Sequence, residues 1–344
     1  MSRFEPKPPW LKVRAPGGET YQAIKSTLRT LDLHTVCEEA RCPNVGECWR
    51  EGTATVMLLG DVCTRGCRFC AVTTGSPRGA VDVREPEHVA RAIARMGLAY
   101  VVLTMVNRDD LLDGGAEHVA TTVRRLHALR PDILIEALVG DFCGRLGDVA
   151  TVVAGAPDVF AHNVEVVRSQ TRALRDARAS FDQSLAVLRH AKACAPERPT
   201  KSSIMVGVGE TDEEVFEALA ELRAAGVDIV TIGQYLRPSD KHHPIARFVE
   251  PATFAVYEAR ARELGFAYAA CGPLVRSSYR AAEVFVRSAL GRGGAAAPGA
   301  TVEERLAEAE RGAAAAAAGL ATETAAAVGL VPADRLRRPA ERTP

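Results

Sequence analysis

The sequence has few of the features that mark membrane, secreted or nucleic-acid-binding proteins. Its 344 residues contain no run of about 18 apolar residues, so no membrane-spanning segment is expected. The first residues, MSRFEPKPPW, lack the apolar core of a signal peptide. The 43 basic and 43 acidic residues cancel, so neither a polyanion-binding surface nor a nucleic-acid partner is expected. We therefore expect a monomer in the reducing cytoplasm.

Disulfides are not expected in that compartment, yet the chain has nine cysteines. Six of them lie in two groups of three, within CEEARCPNVGECW (37–49) and DVCTRGCRFC (61–70). Clustered cysteines in a reducing compartment more often bind metal or take part in chemistry. The isolated Cys143, Cys194 and Cys271 are interpreted as structural.

The second group has the spacing C-x3-C-x2-C, at Cys63, Cys67 and Cys70. Thiolates select iron–sulfur clusters, zinc or copper(I), and a [4Fe–4S] cluster normally takes four cysteines. Three ligands leave one iron open, as in the radical enzymes that bind S-adenosylmethionine there. Two alternatives are a zinc site and three buried cysteines on one helix face. Gly66 and the following TTGSPRG favour a loop over a helix interior.

The first group has the spacing C-x4-C-x5-C, at Cys37, Cys42 and Cys48. Pro43 and Gly46 interrupt any helix there. Two three-cysteine loops this close together predict two iron–sulfur clusters.

From residue 54 onward, apolar runs alternate with amphipathic helical patterns. The runs are 54–60, 100–106, 133–139, 159–165, 201–208 and 229–236, and helices are predicted near 86–96, 115–129, 144–153, 181–193, 212–225 and 252–264. Thr211 and Glu214 predict a capping box. Six strand–helix repeats indicate a parallel sheet, either doubly wound or a partial (β/α) barrel, with functional residues after the strand ends.

At this point the chain resembles the lipoyl synthase family of radical S-adenosylmethionine (SAM) enzymes. Both cysteine groups carry the resemblance, together with VNRDDLLDGGAEH (106–118), HNVE (162–165), KSSIMVGVGET (201–211), TIGQYLRPSDKHHP (231–244) and GPLVRSSYRA (272–281). It implies an α/β fold, a partial (β/α)6 TIM-type barrel of the radical SAM type with N-terminal and C-terminal extensions. The expected parts are a 1–53 extension carrying the auxiliary-cluster cysteines, a barrel over 54–285 and an Ala-rich tail over 286–344.

The resemblance also implies roles for particular residues. Cys63, Cys67 and Cys70 would hold the cluster that cleaves SAM. The auxiliary [4Fe–4S] cluster would have four ligands, Cys37, Cys42, Cys48 and a serine of the RSSY segment, Ser278 with Ser277 as the second choice. The SAM contacts expected from the sequence are Phe69, Asn107, Arg108, Asp109, Asn163 and Glu165. Alternatives are core packing for Phe69 and helix capping for the residues at 107–110.

The activity that the resemblance implies is insertion of two sulfur atoms at C6 and C8 of a protein-bound octanoyl-lysine, with the auxiliary cluster as sulfur donor. The implied partners are octanoylated lipoyl carrier domains (2-oxoacid dehydrogenase E2 subunits and glycine cleavage H protein), an electron donor such as ferredoxin or flavodoxin, and a cluster-repair carrier. Alternatives are a biotin synthase-like or methylthiotransferase-like enzyme, a two-cluster electron-transfer protein and a zinc-binding structural protein.

Overall fold

The computed structural model describes residues 8–11, 17, 22, 25–26, 34–35, 44–45, 53–96, 98 and 100–278. Most of the predicted extension over 1–53 lies outside these residues, and so does the whole predicted tail over 286–344. The predicted auxiliary-cluster ligands Cys37, Cys42 and Cys48 also lie outside them.

The described part is built on a sheet with helices between its strands. In chain order the strands are β1 (His34–Thr35), β2 (Thr53–Leu58), β3 (Val62–Cys63), β4 (Thr73–Thr74), β5 (Tyr100–Met105), β6 (Leu134–Leu138), β7 (Val159–Ala161), β8 (Thr200–Val206), β9 (Ile229–Gln234) and β10 (Tyr268–Gly272). The α-helices are α1 (Glu85–Met96), α2 (Ala116–Leu129), α3 (Leu146–Ala154), α4 (Arg168–Leu174), α5 (Phe181–Cys194), α6 (Asp212–Ala224) and α7 (Pro251–Glu263). Short 3-10 helices occupy Pro9–Leu11 and Phe142–Gly144.

Strand order within the main sheet follows the chain. The order is β1-β2-β5-β6-β7-β8-β9-β10, and β3 pairs only with β4. Strand β1 runs antiparallel to β2, and the other seven strands of the main sheet are parallel. Parallel neighbours joined through helices form an α/β partial barrel of TIM type, with the carboxyl ends of the strands at one mouth.

The predicted strands and helices are confirmed apart from the length of β7, whereas β1, β3, β4, β10 and α4 were not predicted. Strand β10 was not predicted, because its sequence YAACG contains small residues instead of a Val, Ile and Leu run. Strand β7 ends at Ala161, well before the predicted residue 165. Helix α4 was also missed, since RSQTRAL carries few apolar residues from which to read a period. The capping box at Thr211 and Glu214 is confirmed.

The apolar core lies mainly between the sheet and the helices. In one cluster Leu103 of β5 is buried with Val119 of α2, and in a second Ile232 of β9 is buried with Leu219 of α6 and Phe254 of α7. Burial of this apolar surface holds the helices on the outside of the sheet. Among the described residues, no helix has both the length and the apolar character needed to cross a membrane.

The inner face of the sheet carries a buried ion pair. Lys201 of β8 donates to both carboxylate oxygens of Glu136 of β6, at 2.7 and 3.0 Å, and the Tyr100 hydroxyl donates to the same carboxylate at 2.5 Å. Both charged side chains are at most 1% exposed. A buried charge is tolerated only when it is paired and hydrogen-bonded, and this pair meets both conditions.

Candidate active site

The loop over residues 63–70, here called the cysteine loop, carries all three cysteines of the second group. It leaves β3, which pairs with β4, and hydrogen bonds from several segments hold it. The backbone amide and the hydroxyl of Thr64 both donate to the Asn107 carbonyl at 2.9 Å. The Arg68 amide donates to the Leu174 carbonyl at 2.7 Å, and His242 Nε2 donates to the Cys70 carbonyl at 2.9 Å. Segments after β5, α4 and β9 thus fix one loop at the mouth of the barrel.

The three thiols line one cavity of about 260 Å³. Polar and charged side chains share its wall: Arg65, Thr104, Asn107, Asp141, His162, Asn163, Glu165, Arg175 and Ser277. All three cysteines are free thiols. Burial raises the pKa of Cys67 and raises that of Cys70 to about 12, so both thiols are protonated at neutral pH in the absence of a metal.

The donor set fits an iron–sulfur cluster better than a single metal ion. Within the described residues, no three His, Cys, Asp or Glu side chains converge closely enough to hold one ion. A zinc ion needs its ligands around one point, whereas the cysteines of a cubane each bind a different iron and lie farther apart. Three soft thiols that face one cavity without meeting at a point match the second case.

Arg65 is the centre of an ion-pair network beneath the cysteine loop. Its guanidinium donates to both oxygens of Asp109, at 2.9 and 3.0 Å, and to Asp141 at 2.8 Å. The Arg65 backbone amide lies 3.4 Å from the Cys63 sulfur. Burial by itself would raise the pKa of Asp141, but the hydrogen bonds and charge of Arg65 outweigh it and lower that pKa to about 2. The network ties the loop to the segments after β5 and β6.

The side chains predicted at 107–109 have separate positions. Asn107 lines the cavity, and Gly140 provides its space, since a Cβ at Gly140 would lie 2.3 Å from Asn107 Oδ1. Arg108 is buried away from the cavity, paired with Asp110 and donating to the Ala80 carbonyl. The guanidinium joins two loops in this arrangement, and its predicted contact with SAM stays a prediction. Asp109 is likewise engaged by Arg65 and does not line the cavity.

Asn163 and Glu165, which follow β7, both line the cavity. Glu165 has a φ of +69°, a left-handed conformation that is costly for a residue other than glycine. Hydrogen bonds with β8 maintain it: the Glu165 amide donates to the Ser203 carbonyl at 3.2 Å, and the Met205 amide donates to the Glu165 carbonyl at 2.7 Å. Burial raises the pKa of the Glu165 carboxyl. Backbone strain of this kind concentrates at functional sites.

His162 lines the same cavity but is fully used by its neighbours. Its Nδ1 donates to the Val139 carbonyl at 2.8 Å, and its Nε2 accepts from the Ser184 hydroxyl at 2.9 Å. Burial lowers the pKa of His162 to about 4, so the ring is neutral at pH 7. These contacts favour a structural role over an acid–base one.

Phe69 lies between the cavity and the apolar core. Its side chain lines the cavity and also packs against a buried cluster formed by Val166, Leu174, Val208 and Tyr235. The two readings of the sequence, cofactor contact and core packing, are therefore compatible.

The segment over 273–278 crosses the end of β9 at very short range. A Cβ on Gly233 would lie 2.0 Å from the Val275 carbonyl oxygen, so only glycine admits this approach. Ser277 lines the cavity, whereas Ser278 is half-buried and does not. The Asn44 amide, from the stretch between Cys42 and Cys48, donates to the Leu274 carbonyl at 2.6 Å. The two segments that supply the predicted auxiliary ligands therefore touch.

Comparison with known proteins agrees with this arrangement. Residues 57–222 match the radical SAM superfamily, and residues 3–42 match the N-terminal domain of lipoyl synthase of that family. The lipoyl synthase of Sorangium cellulosum is 72% identical, over 91% of this chain and 90% of that protein. The lipoyl synthase of Thermus thermophilus is 58% identical, over 82% of this chain and 87% of that protein. This chain belongs to the lipoyl synthase family.

The likeness extends beyond bacteria. The mitochondrial lipoyl synthase of Rattus norvegicus is 54% identical, over 82% of this chain and 77% of that protein. Membership of the lipoyl synthase family implies SAM and [4Fe–4S] clusters as cofactors.

Three charged residues of this lipoyl synthase family member were not predicted as part of the site. They are Arg65, Asp141 and Arg175, which all line the cavity. For Arg65, the sequence offered one indication of a role in the site, which is its position between the predicted ligands Cys63 and Cys67. Asp141 and Arg175 lie in loops whose sequences carry no recognisable chemistry, so only the fold brings them to the thiols.

Proposed function

We propose that this chain inserts two sulfur atoms, at C6 and C8, into an octanoyl group carried on a lysine of a partner protein. The supporting observation is the cavity at the barrel mouth, where three free thiols meet Asn163, Glu165 and Ser277. The chain's membership of the lipoyl synthase family supplies the reaction class. A pure electron-transfer protein would have little use for a cavity lined by polar and apolar side chains beside its cluster ligands.

Within this proposal, Cys63, Cys67 and Cys70 hold the cluster that binds SAM. When bound, the reduced cluster with SAM supplies a carbon radical that removes hydrogen from unactivated C–H bonds, and the auxiliary cluster supplies sulfur. Asn163 and Glu165 offer polar groups to a cofactor, and Phe69 offers an apolar ring.

The proposed auxiliary site joins the first cysteine group to the RSSY segment. The contact between Asn44 and Leu274 supports this pairing, because it brings the two chain segments together across 230 positions. We propose a serine as the fourth ligand. The family resemblance favours Ser278, and the cavity lining favours Ser277.

The proposed partners are those of the reaction. An octanoylated lipoyl carrier domain supplies the substrate, a low-potential protein such as ferredoxin or flavodoxin supplies electrons, and a carrier rebuilds the spent cluster. We also propose that the chain acts as a monomer in the cytoplasm.

An assay with an octanoyl-lysine peptide, SAM and dithionite under anaerobic conditions tests the proposal. Mass spectrometry should find two added sulfur atoms, and the purified protein should hold roughly eight irons per chain. Cys67→Ala should abolish 5′-deoxyadenosine formation, whereas Cys194→Ala, at an exposed thiol on α5, should not. Deoxyadenosine formation without any sulfur insertion by the unaltered protein would refute the proposed reaction.

The same assay identifies the serine ligand. Ser278→Ala and Ser277→Ala are compared for sulfur insertion and for deoxyadenosine formation. The variant that loses sulfur insertion while it still cleaves SAM identifies the ligand. Full lipoyl formation by both variants would contradict a serine ligand altogether.

A further inference from the structure

The outer side of the cysteine loop carries exposed positive charge. Arg68 is exposed, and its side chain runs along the last turn of α4, with Nη1 3.5 Å from the Ala173 carbonyl. Arg172 is exposed on that same turn. On the other side, the His243 amide donates to the Arg68 carbonyl at 2.9 Å, which brings the exposed Lys241 to the same surface. We call Arg68, Arg172 and Lys241 the cationic face.

No carboxylate within the described part of the chain forms an ion pair with any of these three charges, although most other exposed arginines nearby are paired. Two carboxylates close to the face in sequence are already used: Asp176 pairs with Arg178 at 2.7 Å, and Asp240 pairs with Arg237 at 3.5 Å. In a chain of zero net charge, this is a local excess of positive charge. Such an excess attracts an acidic partner.

None of the three residues of the cationic face lines the cavity. Phe69 and Cys70 line the cavity, whereas Arg68, from the same loop, is exposed and does not. Because Arg68 lies between Cys67 and Cys70 in the chain, a protein seated on the face would lie close to the cluster ligands.

We propose that Arg68, Arg172 and Lys241 form the docking surface for a small acidic electron-carrier protein. This rests on the function proposed above, which requires reduction of a cluster at the cysteine loop. One electron leaves a reduced flavin or iron–sulfur centre of the carrier, which is oxidised by one electron, and the cluster is reduced by one electron. No bond is made or broken. Electron-transfer complexes have small interfaces, are short-lived and form under electrostatic attraction, so a surface with only a few cations is sufficient for such a partner.

The test measures cluster reduction without the octanoyl substrate. The double variant Arg172→Glu, Lys241→Glu leaves the cysteine loop intact, and Arg68→Gln is a second variant. Hydroquinone flavodoxin, a small acidic flavoprotein, is mixed with the cluster-loaded protein, and the absorbance of the cluster is followed at low and high salt. For the double variant, the second-order rate constant for cluster reduction by flavodoxin should fall about tenfold at low salt. At high salt it should approach the value for the unaltered protein.

Three controls make the outcome decisive. Arg189→Glu, at an exposed arginine on α5, should leave the rate unchanged, and dithionite should reduce all variants equally. Flavodoxin should also bind the cluster-free protein less tightly when the double substitution is present. The proposal would be overturned if flavodoxin reduced the double variant as fast as the unaltered protein, or if Arg189→Glu slowed reduction equally. A raised KM for the octanoylated carrier with normal reduction would assign the face to that carrier instead. If the unaltered protein binds no cluster, it is the proposed function that fails.

Discussion

Replacing Arg65 by methionine should destabilise the protein strongly, because two carboxylates depend on its charge. The Asp141 side chain is 0% exposed and that of Asp109 is 13% exposed. Removing one partner of a buried ion pair costs about 3–5 kcal/mol, because the remaining charge is left buried and uncompensated.

The local geometry sets the expected loss near the lower end of that range. In Arg65→Met, Asp109 still pairs with Arg178 at 2.9 Å, so its negative charge remains largely compensated. Among the described residues, Asp141 keeps one cation, Arg175 at 4.0 Å, together with the hydrogen bond from the Cys143 amide at 3.0 Å. Lowering the pKa of Asp141 from 3.8 to about 2 corresponds to ~2.5 kcal/mol of stabilisation at neutral pH. We therefore expect Arg65→Met to lower the free energy of unfolding by about 3 kcal/mol.

The same shift predicts how the effect depends on pH. Because the pKa of Asp141 is lower in the folded state, its stabilisation is fully present above the ordinary value of 3.8. The stabilisation is lost as the pH falls through about 2, where the folded-state carboxyl takes up its proton. The difference between the unaltered protein and Arg65→Met should accordingly stay constant from pH 7 to about 4 and shrink as the pH falls further towards 2.

Urea unfolding of the cluster-free protein, followed by circular dichroism at several pH values, measures these differences. Arg178→Met is the matched control, since it removes a 46%-exposed partner of the same Asp109 and should cost less than about 1 kcal/mol. Arg65→Lys should recover part of the loss, because an ammonium restores the charge but not the two-pronged hydrogen bonding. A loss below 1 kcal/mol for Arg65→Met, or one independent of pH, would refute the reasoning.

Two further substitutions examine the barrel interior and its closing segment. Lys201→Met should lower the free energy of unfolding, measured in urea, by roughly 3–5 kcal/mol, because it leaves Glu136 buried without its cation. Adding Glu136→Leu should recover most of that loss. A double variant no more stable than Lys201→Met would argue against an electrostatic cause. Gly233→Ala should displace the segment at Val275 and lower the ratio of sulfur insertion to deoxyadenosine formation several-fold. Gly147→Ala, whose added Cβ meets nothing within 4 Å, is its control, and an unchanged ratio for Gly233→Ala would count against the close approach.

Local sequence patterns predicted the fold well where strands are apolar and helices have clear ends. The Val-rich run of β5 and the cap at Thr211 are examples. Strand β10 was missed because its small residues are held by pairing with β9, an interaction between distant parts of the chain. The family and its cofactors were also predicted, because the spacing of cysteines is a local property that can be read directly from the sequence.

The surroundings of the thiols were decided by the tertiary structure. Arg65 meets Asp109 and Asp141 across 44 and 76 positions, and no local pattern links residues so far apart. Arg108 illustrates the converse, since its neighbours in sequence predicted a contact with SAM, which stays a prediction, whereas the fold pairs its guanidinium with Ala80 and Asp110.

The sequence by itself determined which atoms are available to bind iron, because three thiols within eight residues stay close in any compact conformation. The tertiary structure alone decided what surrounds them: which charges are buried beneath the loop, which serine faces the cavity and which cations remain exposed. The physical reason is that electrostatic environment depends on distance in space, and closing the parallel sheet brings segments together that the chain keeps far apart.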